Sequence, residues 1–189
     1  MKNSSVKILS RIKFFVLILL SYLSFGQTTL ISEGFEAGLG LFSQSGSNTF
    51  TQNDSIFHGG NFSIHNAYSN SSSGKLTLTT SLDLSSYNGA LLKFHHIAKV
   101  ELGDTAIVQI SVNNGSSWQT LDETFYNGQG FLLNKTNFFD GTYTDWKYNI
   151  NTKPDNSWWK EETFDISAFS GSGKTQVSIR FKLTADNLL

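Results

Sequence analysis

The sequence of 189 residues lacks several features on which common protein functions depend. It contains no cysteine, which excludes disulfide bonds and thiolate metal sites. Lysine and arginine (14) nearly balance aspartate and glutamate (15), so there is no basic excess of the kind that nucleic-acid binding requires. No helix of normal length is predicted after the N-terminal segment. Because disulfide bonds are excluded, the fold must be held by its core or by a bound ion.

Catalytic motifs are also missing. The chain has no His-Glu-x-x-His zinc motif and no Gly-x-Ser-x-Gly elbow. His95 and His96 are adjacent in a predicted strand, so their side chains face opposite sides and cannot bind one ion together. The spacing of the acidic residues does not suggest the carboxylate pair of a glycosidase. We therefore predict no catalytic residues.

Residues 1–26 are predicted to be a secretory signal peptide. Four basic residues accompany an apolar run from Phe14 to Leu20, and the small residues Ser24 and Gly26 precede a cut at Gln27. A signal anchor is the alternative, but the run is short for about 30 Å of hydrocarbon. We expect a secreted or cell-surface protein with no stable membrane span after cleavage. The remaining 10 Lys and Arg against 15 Asp and Glu give a net charge of −5, unfavourable for anionic lipid.

The clearest strand lies in the middle of the chain. Over residues 105–112, apolar side chains occupy every second position, which is typical of a half-buried β-strand. The following Asn113-Asn114-Gly115 predicts a tight hairpin turn, because asparagine and glycine tolerate positive φ. We expect the return strand to place Trp118 in the core.

Further alternating stretches predict one all-β domain over residues 27–189. Many short strands separated by Gly, Asn and Ser turns are typical of a sandwich or barrel. We predict that residues 127–157 form a long aromatic-rich loop insertion without a regular period. A loop of this length is usually functional or disordered, and its aromatic residues argue against simple disorder. The other predicted strands are residues 28–32, 61–65, 75–79, 90–100, 158–166 and 177–183.

The order of the motifs resembles a known group of extracellular modules. Along the chain they are Gly34-Phe35-Glu36, His58-Gly59-Gly60-Asn61-Phe62, Leu82-Asp83-Leu84-Ser85, Gly103-Asp104 and Asn113-Asn114-Gly115-Ser116-Ser117-Trp118. In this order and spacing they resemble the jelly-roll modules of the MAM-like and cleaved-adhesin group. The resemblance implies an antiparallel jelly-roll β-sandwich of two sheets. Such modules occur in secreted and surface proteins, often attached to peptidases or adhesins.

The sequence departs from that pattern at its C-terminus. Such modules usually close with a strand that carries a Trp/Tyr-Ile-Asp-Asp type motif, whereas this sequence stops at Asn187-Leu188-Leu189. We expect that the closing strand is missing through truncation and that further domains follow in a longer protein. The alternative is that the last strand is supplied by other means. A missing strand would expose a sheet edge and part of the core.

The resemblance also implies a structural calcium ion. In such modules a carboxylate after the first phenylalanine and one from the closing strand take part. Glu36 matches the first position, and the second has no counterpart in this sequence. Glu33, Asp54 and Asp104 are further oxygen donors in predicted loops, and calcium takes six to eight oxygen ligands. The alternative is that all four are solvated loop carboxylates.

Aromatic residues near and within the long loop are the candidates for ligand binding. Trp146, Tyr148, Trp158 and Trp159 would form a platform that stacks on a sugar or peptide. Alternatively, one of the two adjacent tryptophans packs in the core, since neighbours on a strand point to opposite faces.

These observations favour a binding module over an enzyme. We predict a non-catalytic extracellular adhesion or ligand-binding module that binds a glycan or a protein and no nucleic acid. The first alternative is a carbohydrate-binding module that serves a secreted hydrolase. The second is a secreted peptidase or glycosidase.

Overall fold

The computed structural model describes residues 26–66, 71–98, 100, 103–128 and 151–186. Every strand pairing in this part of the chain is antiparallel, so the predicted all-β sandwich is confirmed. Residues 1–25 of the predicted signal peptide and residues 129–150 of the predicted loop lie outside the described residues. The described part contains no helix with the length and apolar character needed to cross a membrane.

The described residues form nine strands and one 3₁₀ turn. They are β1 Phe42–Gly46, β2 Phe50–Asn53, β3 Ser63–Asn66, β4 Ser73–Leu78, β5 Leu91–His96, β6 Thr105–Ser111, β7 Gln119–Thr120, β8 Lys160–Asp165, the 3₁₀ turn Ser167–Phe169 and β9 Ser178–Thr184.

The larger sheet has five strands in the order β1-β4-β9-β6-β7. β9 lies in its interior, with β4 on one side and β6 on the other. Phe181 of β9 is opposite Leu76 of β4 and Val108 of β6, and these three side chains belong to the inner face. Because side chains alternate along a strand, the intervening residues belong to the outer face.

Outside this sheet there are two separate strand pairs among the described residues, β5 with β8 and β2 with β3. A short segment extends the first pair, since the backbone N–H of Asn127 donates to the carbonyl of Thr163 at 2.8 Å. The ring of Phe94 on β5 meets the ring of Phe181 on β9 edge-on, with centroids 5.1 Å apart. The β5–β8 pair therefore covers the inner face of the five-stranded sheet.

An apolar cluster fills the space between the five-stranded sheet and the β5–β8 pair. Its most buried members come from β6, β8 and the segments beside them, and they include Val108, Leu121, Phe164 and Val177. Full burial of a side chain of this size contributes about 1.5–3 kcal/mol relative to leaving it exposed. The core thus holds together residues that lie far apart in the sequence.

The predicted hairpin turn after β6 is confirmed. Asn114 and Gly115 have φ angles of 53° and 82°, and the N–H of Ser116 donates to the carbonyl of Asn113 at 3.2 Å. Two positive φ angles in the middle of a turn define type I′, which matches the twist of a hairpin. The side chain of Ser111 accepts the N–H of Gly115 at 2.9 Å and secures the turn.

The predicted core position of Trp118 is wrong. Thr120 lies opposite Gln109 on the outer face, and Trp118, two residues earlier, is on the same face. There its ring lies 4.1 Å below the guanidinium carbon of Arg180, and its indole N–H donates to the carbonyl of Gly115 at 2.9 Å. The register of the hairpin therefore decides the orientation of this tryptophan.

Two predicted strands also differ from the structure. Residues 28–32 form no strand, because no described strand runs alongside them to complete a hydrogen-bonded ladder. Of the described residues in the stretch 90–100, those from Leu91 to His96 form the strand. It ends there because its partner β8 begins at Lys160, directly opposite His96.

Candidate functional site

Glu33, one of the four predicted calcium ligands, caps the turn that leads into β1. Its Oε1 accepts the backbone N–H of Phe35 at 2.6 Å, and its Oε2 accepts that of Leu41 at 2.8 Å. Gly40, at a φ angle of 55°, has no room for a side chain because a Cβ atom there would overlap this carboxylate. The glutamate therefore serves the local backbone.

Glu36, the residue that matches the resemblance, caps a second turn in the same way. Its Oε1 accepts the backbone N–H groups of Asn61 and Phe62 at 3.0 and 3.1 Å. The hydrogen bond from Asn61 is the main reason that the pKa of Glu36 lies below its ordinary value. Gly60, with a φ angle of 70°, leaves the space that this carboxylate occupies. Glu36 thus ties the start of the domain to the β2–β3 hairpin.

The other two predicted calcium ligands have different surroundings. Asp104 is only 8% exposed, and its Oδ1 accepts the backbone N–H of Asp186 at 2.9 Å. Asp54 is exposed and accepts the hydroxyl of Ser55 at 3.4 Å. Among the residues that the structure describes, no group of three or more His, Asp or Glu side chains is arranged to hold a metal ion. Calcium binding stays a prediction from the resemblance.

The predicted aromatic platform is only partly within the described residues. Trp146 and Tyr148 lie outside them. Trp158 and Trp159 come directly before β8 and not within it, so the expected strand alternation does not apply to them. Trp159 is half-buried and meets the ring of His58 edge-on, with centroids 6.1 Å apart.

Trp159 belongs to a cluster that we call the imidazole–indole patch, formed by His58, Lys93, His95, Trp159 and Glu161. The rings of His58 and His95 are stacked, with centroids 3.6 Å apart and planes 14° from parallel. Glu161 lies 3.5 Å from the ammonium of Lys93 and 3.7 Å from Nε2 of His95. The patch therefore combines three flat rings with a carboxylate and an ammonium group.

Three parts of the chain bring the patch together. Lys93 and His95 alternate with inward-facing residues on β5, and Glu161 of β8 is directly opposite His95. His58 comes from the loop between β2 and β3. That loop is held close to β8 because the backbone N–H of Phe57 donates to the side-chain oxygen of Asn156 at 2.8 Å.

The electrostatics of the patch oppose protonation of His95. Partial burial is the largest cause that lowers the pKa of His95, followed by the positive charge that His58 carries when protonated. His96 and Lys93 act in the same direction, and Glu161 acts against them. The ion pairs of Glu161 are solvent-accessible, so each is worth no more than about 1 kcal/mol.

Stability is therefore expected to fall when His95 is protonated. In the unfolded chain this histidine binds its proton near its ordinary pKa of 6.5, and in the folded chain it does so only at lower pH. Its favourable contribution is complete above pH 6.5 and is lost as the pH falls below that value. Urea unfolding of wild type and His95→Gln at pH 5, 6, 7 and 8 measures this difference.

The variant should show a flatter dependence of unfolding free energy on pH than the wild type. His65→Gln is the matched control, because His65 is exposed on β3 and outside the patch. Identical pH profiles for wild type and His95→Gln would contradict the prediction.

The patch offers two kinds of contact to a ligand, ring stacking and hydrogen bonding. Stacked rings present flat apolar surface, and Lys93 and Glu161 donate and accept hydrogen bonds at its rim.

Part of this site was predictable from the sequence. The prediction that His95 and His96 face opposite sides is confirmed, since His95 belongs to the exposed patch and His96 is buried. His58 was missed as a member of the site. Its His58-Gly59-Gly60 turn was visible, but no sequence pattern predicts that this turn packs against β5, 37 residues later.

Comparisons with protein-family models, with curated proteins and with solved structures give no match for this chain.

Proposed function

We propose that this protein is a non-catalytic extracellular binding module and that the imidazole–indole patch is its ligand-binding face. The observation that carries the proposal is the stack of His58 on His95, with Trp159 at its edge and Glu161 within reach. The extracellular location rests on the predicted signal peptide. The resemblance to MAM-like and cleaved-adhesin modules agrees with this function and belongs to the same proposal.

A glycan is the ligand class that fits the patch best. A sugar ring has an apolar C–H face and a rim of hydroxyl groups. Flat rings stack on such a face, and a few well-placed polar groups fix its orientation. Lys93 supplies donors and Glu161 supplies acceptors for the hydroxyl groups.

The test is a glycan array probed with the wild-type protein, followed by affinity measurements on the glycans that bind. His58→Ala and Glu161→Gln should each weaken binding about tenfold, which corresponds to about 1.4 kcal/mol. Both side chains are solvent-accessible, so both variants are expected to fold. His65→Ala, at an exposed histidine outside the patch, is the matched control.

Two results would contradict the proposal. One is an array on which no glycan binds. The other is that every neutral glycan bound by the wild type keeps its affinity in His58→Ala and Glu161→Gln. Loss of binding in both variants together with normal binding by His65→Ala would support it.

A further inference from the structure

The outer face of the five-stranded sheet carries a separate concentration of positive charge. Lys75 of β4 is directly opposite Lys182 of β9, and Arg180 is two residues along β9 on the same face. We call these three residues the cationic face. The other outward strand positions are serine, threonine, glutamine and isoleucine, and none of the strand residues on this face is acidic.

This arrangement is unfavourable for the isolated domain. Like charges directly opposite each other on neighbouring strands destabilise a sheet. Within the described residues, no carboxylate forms an ion pair with Lys75, Arg180 or Lys182. The chain after the predicted signal peptide has a net charge of −5, so acidic residues that could have balanced this face lie elsewhere. Residues that lower stability without compensation are characteristic of functional surfaces.

The guanidinium of Arg180 is held in a fixed orientation. Its Nε donates to the side-chain oxygen of Gln109 at 2.7 Å, and its guanidinium carbon lies over the ring of Trp118. Gln109 is held in turn, because its amide donates to the hydroxyl of Thr120 at 3.2 Å. The terminal amino groups of Arg180 form no hydrogen bond to other described residues, and these groups match a carboxylate or sulfate geometrically.

We propose that the cationic face binds an acidic polysaccharide, one whose sugar units carry carboxylate or sulfate groups. Neighbouring strands are about 5 Å apart and alternate residues of one strand are about 7 Å apart. The three cations are therefore spread over the sheet and can each contact a different negative group along an extended polymer. The hydroxyl and amide side chains around them suit the neutral hydroxyl groups of the same polymer. Three cations provide few phosphate contacts for a nucleic acid, whose binding depends on many.

The test measures binding of the protein to immobilised polygalacturonate and dextran sulfate, with neutral dextran and single-stranded oligothymidylate in parallel. We expect binding to at least one acidic polysaccharide at 50 mM salt and its loss at 500 mM, because salt screens exposed charges. The double variant Lys75→Gln/Lys182→Gln and the single variant Arg180→Gln should each bind at least tenfold more weakly. Lys153→Gln/Lys174→Gln removes two positive charges outside this face and should bind normally.

Lys182→Glu separates binding from folding. A glutamate at position 182 faces Lys75 and replaces repulsion with attraction, so its melting temperature should equal or exceed that of the wild type while polysaccharide binding disappears. Absence of binding to both acidic polymers overturns the proposal, as does equal binding by the double variant. Equal or tighter binding to oligothymidylate or neutral dextran overturns the assigned ligand class. The proposal is independent of the imidazole–indole patch, and His58→Ala should leave this binding unchanged.

Discussion

Replacement of Phe164 by alanine is expected to lower the free energy of unfolding by about 3–5 kcal/mol. Phe164 has no solvent exposure. Its ring is stacked on Phe94 with centroids 6.2 Å apart and meets Tyr126 edge-on at 5.6 Å. Alanine would leave a cavity where β5, β8 and the segment around Tyr126 meet. Because small domains have about 5–15 kcal/mol of stability in total, this loss is a large share.

Urea unfolding followed by tryptophan fluorescence measures the effect. Leu91→Ala is the matched control, since Leu91 lies on the neighbouring strand β5 but is 47% exposed. Substitution there should change stability by no more than about 0.5 kcal/mol. A loss of less than about 1 kcal/mol in Phe164→Ala would show that the β5–β8 pair does not share the core of the larger sheet.

The elements that were predictable from the sequence are those fixed by local chemistry. Alternation of apolar side chains located β6 and β9 to within about one residue, because a strand buried on one face carries period two wherever it lies. The Asn114-Gly115 turn was predictable because few residues other than asparagine and glycine accept two successive positive φ angles.

The elements that were not predictable depend on partners distant in the chain. The face on which Trp118 lies follows from the pairing register of Gln109 with Thr120, and the alternation pattern alone does not specify that register. Residues 28–32 have strand-like composition but no described neighbour to pair with. Composition measures the preference for extended backbone, whereas a strand also needs a ladder of hydrogen bonds.

In the candidate site, too, the features set by local chemistry were predictable and those that depend on distant partners were not. Alternation predicts that Lys93 and His95 share the outward face of β5, but stacking by His58 requires the β2–β3 loop to reach that face. The sequence shows which acidic residues could supply oxygen ligands to calcium. It does not show that backbone N–H groups already donate hydrogen bonds to Glu33 and Glu36. The cationic face was hidden because Lys75 and Lys182 become neighbours only when β4 pairs with β9.

A buried polar pair lies on the inner side of the same two strands that carry the patch. Nε2 of His96 is 3.0 Å from Oε1 of Glu162, and the glutamate is 1% exposed. Oε2 of Glu162 has no hydrogen-bond partner within the described residues. The histidine is therefore the partner on which this buried carboxyl depends.

His96→Leu is expected to lower the free energy of unfolding by about 3–5 kcal/mol, because it leaves both oxygens of Glu162 buried without a partner. Glu162→Leu should lower the free energy of unfolding by less, because it removes the carboxyl that needs a partner and fills the space with an apolar side chain. Urea unfolding at pH 7 measures both variants.

The double variant His96→Leu/Glu162→Leu distinguishes loss of the polar pair from loss of packing. If His96→Leu loses stability because the Glu162 carboxyl is left without a partner, the double variant should be more stable than His96→Leu. Two apolar side chains can replace a buried polar pair with little loss of stability. If the cost comes from packing around the imidazole, the two losses should add, and the double variant should be the least stable of the three. The sign of the coupling energy therefore tests whether Glu162 needs His96 in order to be buried.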